Sequence, residues 1–135
     1  MPSSWQLKRL TQDKLDKCSC QIAYLLEQGW IIPSRASHAA SVVFAKKADS
    51  SWCFSQDYCC LNAITCLSVE QLPHINQLMD ETRGAKLFTK MDLQDAYHQF
   101  HIATGDQWKT AFCVQGGQNK FKVGAFSLHS MSSLL

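Results

Sequence analysis

The chain has 135 residues, 13 of them Lys or Arg and 11 Asp or Glu, for a net charge of +2 with histidine neutral. That length allows one domain with a modest core, and a charge so near neutral does not by itself mark a polyanion binder. No apolar run approaches the eighteen or so residues of a membrane span, and seven cysteines, an odd number with no signal peptide ahead of them, argue against an extracellular disulfide scaffold.

Residues 1–17 are mostly polar, with only Leu7 and Leu10 at helical spacing. From there Ile22, Leu25 and Leu26 form a helical stripe that Gly29 should stop, leaving Trp30 to close the helix's apolar edge. Trp30-Ile31-Ile32 reads as a short extended piece before the Pro33-Ser34 turn. Residues 41–45 (SVVFA) are the first clear strand, residues 46–51 (KKADSS) a hairpin turn, and Trp52 to Tyr58 its return. After Leu61-Asn62 an irregular connection leads to Pro73, where a helix can begin because the missing N–H is one that the first turn leaves unpaired anyway. Ile75, Leu78 and Met79 give its stripe and Gly84 its end. Alternation predicts a strand over 87–93, with Leu87, Thr89 and Met91 on one face and Phe88, Lys90 and Asp92 on the other. Gly105-Asp106 marks a turn, 109–114 a strand, Gly116-Gly117 a turn and 120–126 a last strand. The fold class expected is α+β, hairpins with short helices. The residues at the end, SSLL, carry neither a cap nor a polar tail, so a larger fold is expected around this piece.

The order of segments is more specific than any one of them. Gly29-Trp30-Ile31-Ile32-Pro33-Ser34, Val42-Val43-Phe44-Ala45-Lys46-Lys47, Trp52 through Asp57-Tyr58 and Leu61-Asn62, Leu72-Pro73-His74-Ile75, Gly84 through Met91-Asp92-Leu93-Gln94-Asp95-Ala96-Tyr97-His98-Gln99, and Trp108-Lys109-Thr110-Ala111-Phe112 resemble, in family order, reverse transcriptases of the Ty3/gypsy class of long-terminal-repeat retrotransposons. The resemblance divides the chain into an N-terminal extension, 1–21, and a partial reverse-transcriptase domain, 22–135, holding the fingers and an incomplete palm. It implies Asp92 as catalytic and metal-binding. It places Asp95, Ala96 and Tyr97 around the incoming nucleotide, with Tyr97 as the aromatic that excludes a 2′-hydroxyl. Lys47 falls near the triphosphate, and Phe126 where the palm approaches the nascent base pair. The implied cofactor is Mg²⁺, and the implied partners are an RNA or DNA primer-template and a deoxynucleoside triphosphate. No membrane partner and no specific protein partner is implied, and the default compartment is intracellular, cytoplasmic or nuclear.

Polymerisation of this kind needs two divalent cations, one activating the primer hydroxyl and one neutralising the leaving pyrophosphate, and hard carboxylate oxygens suit them. The family supplies further aspartates from a Tyr/Phe-x-Asp-Asp hairpin. The sequence holds no such motif, and nothing after Asp106 carries a carboxylate side chain. Three positions where the family usually has Arg hold Cys53, Cys59 and Cys113, exchanging a fork of five donors for a weak thiol donor. Ser50, Ser41, Ala125 and Ser127 stand where the family has glycine or proline. The expectation is therefore a catalytically inactive chain, or a non-catalytic nucleic-acid-binding module, or a degenerate remnant of an element.

Plainer readings of the same residues stand beside these. Asp92 and Asp95 would also serve a helix N-terminus, Lys46-Lys47 a solvated hairpin, Tyr97 a boundary aromatic, and Trp30, Trp52 and Trp108 core packing rather than base stacking. His98 and His101 straddle a turn and converge poorly on a metal. Cys18-Ser19-Cys20 and Cys59-Cys60 lack the two-residue gap of a zinc knuckle.

Overall fold

A computed structural model describes residues 9–66 and 73–133. Helix α1 (Gln12–Glu27) leads into strand β1 (Ile31–Pro33), the hairpin β2 (Val42–Lys46) and β3 (Trp52–Gln56), helix α2 (Cys59–Ile64), helix α3 (Ile75–Glu81), and strands β4 (Phe112–Val114) and β5 (Gly117–Phe121). Short 3-10 turns occupy Ala96–Gln99, Gln107–Thr110 and His129–Ser133. The three-stranded sheet has the order β1-β5-β4 and the hairpin stands as a two-stranded sheet, all neighbours antiparallel. No helix among the described residues is long and apolar enough to cross a membrane.

The stop of α1 is a Schellman motif. Trp30 N–H donates to Leu25 O and Gly29 N–H to Leu26 O, each at 3.0 Å, while Gly29 takes a φ of +71° that a Cβ would resist. The accompanying apolar contact is Tyr24 meeting Trp30 edge-on at 5.9 Å. The helix begins earlier than its apolar stripe predicts, at Gln12, so the expected division at 21/22 falls inside α1; Leu7 lies outside the described residues.

The core joins α1, the hairpin and the three-stranded sheet. Leu25, Ile31, Tyr58, Phe112, Phe121, Val123 and Ala125 are buried together, with Ile22, Trp30, Val42 and Phe54 packed against them. The two sheets are tied where Ala40 bridges Phe112: Ala40 N–H donates to Ala111 O at 2.6 Å and Cys113 N–H to Ala40 O at 2.9 Å. Tyr58, buried, spends its hydroxyl on Thr110 O at 2.7 Å, and burial pushes that phenol well above its ordinary range.

Three expectations are corrected. Residues 87–93 form no strand: their alternation is intact, but no other described strand lies beside them, and a ladder needs a neighbour to take its N–H and C=O groups. Residues 107–110 are a 3-10 turn because Thr110 Oγ1 donates back to Gln107 O at 2.7 Å, so the strand starts only at Phe112. The ladder of β5 ends at Phe121, and only Val123 beyond it bridges His101. Helix α2 was not foreseen; Asp57, accepting from Cys59 N–H at 3.1 Å, starts it.

Candidate nucleotide and nucleic-acid site

Tyr97 and Phe126, far apart in sequence, meet edge-on with ring centroids 5.3 Å apart and planes at 86°. The turn Ala96–Gln99 presents Tyr97, and it is opened by Asp95 in the left-handed region at φ 50°, a conformation that aspartate tolerates better than most side chains. His98 fastens this turn to the core. Its ring stacks on Trp30 at 4.5 Å and faces Phe121 at 6.3 Å, and its Nδ1 hydrogen-bonds with Gly124 O at 2.9 Å. The ring is therefore a structural wedge; His101 is exposed and points the backbone bridge to Val123 instead.

Phe126 is 73% exposed and is held from behind. Asn62 of α2 donates from Nδ2 to Ser127 O at 2.9 Å and accepts from His129 N–H at Oδ1, also at 2.9 Å, and Ser55 of β3 shares a 2.7 Å hydroxyl contact with Ser127. The amide of Asn62 thus clamps the loop carrying Phe126 onto α2. Sequence reasoning placed Asn62 in a matching segment but gave it no task; a lone Asn signals nothing until its partners, more than sixty residues on, are known. Between these elements lies a cleft of about 80 Å³ lined by Leu25, Phe54, Gln56, His98, Phe121 and Phe126. It has room for a few waters and not for a nucleotide.

Asp92 and Asp95 are both exposed, and Ala96 and Tyr97 half-buried. Asp92 lies on the strandless segment and not on the strand expected over 87–93. Among the described residues no group of three or more His, Cys, Asp or Glu converges as metal ligands. A pair of Mg²⁺ ions needs several shared carboxylates with six oxygens around each ion, so this donor set does not fit the two-ion centre that the resemblance implies.

The hairpin tip carries Lys47, exposed, with Lys47 N–H donating to Ser51 O and Ser50 N–H to Lys47 O. Ser50 sits at φ 65°, the left-handed value that glycine would adopt without strain. Asp49 accepts from Ser51 Oγ at 2.6 Å and from Ser51 N–H at 3.0 Å, bonds that hold its carboxyl below the ordinary range, aided by the Lys47 charge. Behind the tip, Trp52 has two ammonium groups near its ring, Lys14 Nζ of α1 at 4.5 Å and Lys46 Nζ at 5.4 Å from the centroid. Arg9 and Lys14 line a groove of about 250 Å³ against Val42, Val43 and Phe44. The basic face is thus built from α1 and the hairpin together. Trp30 packs into the core edge as expected, whereas Trp108 stays 44% exposed with its edge to His38.

No family model matches the sequence. The arrangement of elements is the reverse-transcriptase fold: the chain superposes over 99% of its length on a mutant of the prototype foamy virus protease-reverse transcriptase with TM-score 0.78 and 26% identity, covering 18% of that chain. It superposes equally fully on the foamy viral protease-reverse transcriptase in complex with double-stranded DNA, with TM-score 0.76 and 20% identity over 24% of that chain, and over 96% of its length on the same protein with an RNA/DNA hybrid, at TM-score 0.78. By sequence it is 34% identical over 108 residues, 79% of its length, to the Transposon Tf2-3 polyprotein of Schizosaccharomyces pombe, and equally to Tf2-4. These likenesses place it among retrotransposon reverse transcriptases of the Ty3/gypsy type, as a fragment of the polyprotein. The match covers 8% of the length of those polyproteins.

Proposed function

We propose that the chain is the part of a reverse transcriptase that grips the incoming deoxynucleoside triphosphate and the template, and that a polypeptide of these 135 residues does not polymerise. The observation that carries the first half is the Tyr97–Phe126 edge, two rings that the resemblance puts at the nucleotide and that long-range folding brings to 5.3 Å. The second half rests on the donor set: one exposed Asp92, with Asp95 turned into a left-handed cap, is too few oxygens for two ions. With purified protein, Mg²⁺, a primer-template and all four triphosphates, primer extension should not rise above that of Asp92→Asn. Templated incorporation that vanishes in Asp92→Asn would sink this reading.

The fingers' basic face favours nucleic-acid binding as what remains without chemistry. What supports this is Lys47, exposed at the tip, and Lys46, exposed beside the Trp52 ring. Affinity for a primer-template duplex should fall steeply with salt, with little sequence preference. Replacing Lys46 and Lys47 with alanine should lessen the slope of log K against log salt by about two, roughly one per phosphate contact. Fluorescence anisotropy across a salt series reads this, and an unchanged slope would remove the hairpin from the interface.

A further inference from the structure

Phe126 sits at the tip of a turn whose two feet rest in the core. Leu128 N–H donates to Ala125 O at 3.1 Å, Ala125 is buried, and Leu128 packs against the core cluster. Neither central residue, Phe126 or Ser127, takes a positive φ, so the turn demands no glycine. Ahead of the ring the chain is pinned at Gly124, whose N–H donates to Phe100 O at 2.8 Å and whose O meets His98 Nδ1, both on the side of the Tyr97 turn. Behind the ring the restraints come from other elements: Ser55 Oγ of β3 on Ser127 Oγ, Asn62 Nδ2 of α2 on Ser127 O, and His129 N–H on Asn62 Oδ1.

We infer that Asn62 and Ser55 are positioning residues for the nucleotide contact: by holding Ser127 they aim the Phe126 ring at Tyr97. The inference rests on the grip of the triphosphate proposed for that aromatic edge. An exposed ring at the tip of a turn has several staggered orientations open to it, and one edge-to-face contact is weak beside the freedom lost in making it. A latch on the residue that follows supplies the selection. Asn62 suits the task because a side-chain amide donates and accepts at once, so a single residue fixes both Ser127 and His129. Asn62 is itself tied to the core, its N–H donating to the carbonyl of buried Tyr58 at 2.7 Å. Ser55 pulls from a second direction, from a strand register in which it faces Val43. By the resemblance a glycine would stand at 127, with no hydroxyl for Ser55 to meet, so the serine pair is a feature of this chain's own residues.

Nuclear magnetic resonance of the full chain tests this in two ways, through proton contacts between the Tyr97 and Phe126 rings and through a dATP titration followed on the Tyr97 ring. Asn62→Ala should remove most of the ring contact and weaken dATP binding about tenfold, close to the loss from Phe126→Ala itself. Ser55→Ala should act in the same direction and less. Asn62→Asp, which keeps the acceptor for His129 N–H and drops the donor to Ser127 O, should behave as Asn62→Ala does. In a Phe126→Ala background, Asn62→Ala should cost dATP affinity nothing further, and affinity for a primer-template duplex should hold throughout, since the hairpin lysines are untouched. A lower Tm with ring contact and dATP affinity intact would make the latch a plain stabilising contact and overturn the inference. So would a further tenfold loss from Asn62→Ala once Phe126 is gone, or a loss of duplex affinity equal to that of dATP. If dATP leaves Tyr97 unperturbed in the parent chain, the grip on nucleotide fails, while the ring contacts still decide whether Asn62 and Ser55 aim Phe126.

Discussion

Phe112→Ala should cost about 3–5 kcal/mol, a large share of the roughly 5–15 kcal/mol by which a domain is stable. Phe112 is fully buried and sits where the two sheets meet: it pairs with Asn119 of β5, bridges Ala40, and lays its ring 5.2 Å from Phe121 and 6.4 Å from Phe54. Truncation therefore opens a cavity between sheets rather than at an edge, and neither sheet can collapse to fill it without breaking the Ala40 bonds. In urea titration followed by near-ultraviolet circular dichroism the variant's midpoint should fall by roughly 2 M. Phe126→Ala is the control, since a ring 73% exposed should change stability by only about 0.5 kcal/mol. Equal losses from the two would mean that the core does not lie where the sheets join.

Gly124→Ala comes second, because a Cβ there has nowhere to go. It would press on the Met131 sulfur and come within 2.6 Å of Tyr97 O. The thioether can swing aside, but Tyr97 O belongs to the turn that Phe100 N–H closes and that His98 anchors to Gly124 O. Backbone must then shift, at about 1–3 kcal/mol, and the shift falls on Tyr97 itself. A Tm lower by roughly 5–10 °C is expected, with loss of the proton contacts between the Tyr97 and Phe126 rings in nuclear magnetic resonance spectra. Combining Gly124→Ala with Met131→Ala, measured against Met131→Ala alone, separates the two obstacles. If the cost of the added methyl disappears in that background, the sulfur was the barrier and Tyr97 is not under backbone constraint.

Both variants act on contacts that bind the reading of function to the fold. Gly124 is the floor under Tyr97, and Phe112 fixes the hairpin that carries Lys46 and Lys47 to the sheet that carries the approach to Phe126. Any nucleotide-gripping surface here depends on that joint and on the Ser55–Ser127 contact that ties the hairpin to the loop of Phe126.

What short-range chemistry governs could be read from the residues in order. Gly29 followed by Trp30 stops α1 by a local pair of backbone bonds and an aromatic lid; the Lys46–Ser51 turn and its flanking strands follow from alternation interrupted by polar residues; α3 follows from a stripe after Pro73. Candidates for a nucleotide site could be named too, through the order of six motifs. Tertiary structure alone decided which of these would meet. Tyr97 finds Phe126, Asn62 finds Ser127 and His129, and His98 becomes a wedge between Trp30 and Phe121 because long loops close on one core. The same distinction explains Leu87–Leu93: alternation records that one face is meant for burial, yet a strand exists only when another supplies hydrogen bonds beside it, and no single segment encodes its neighbour.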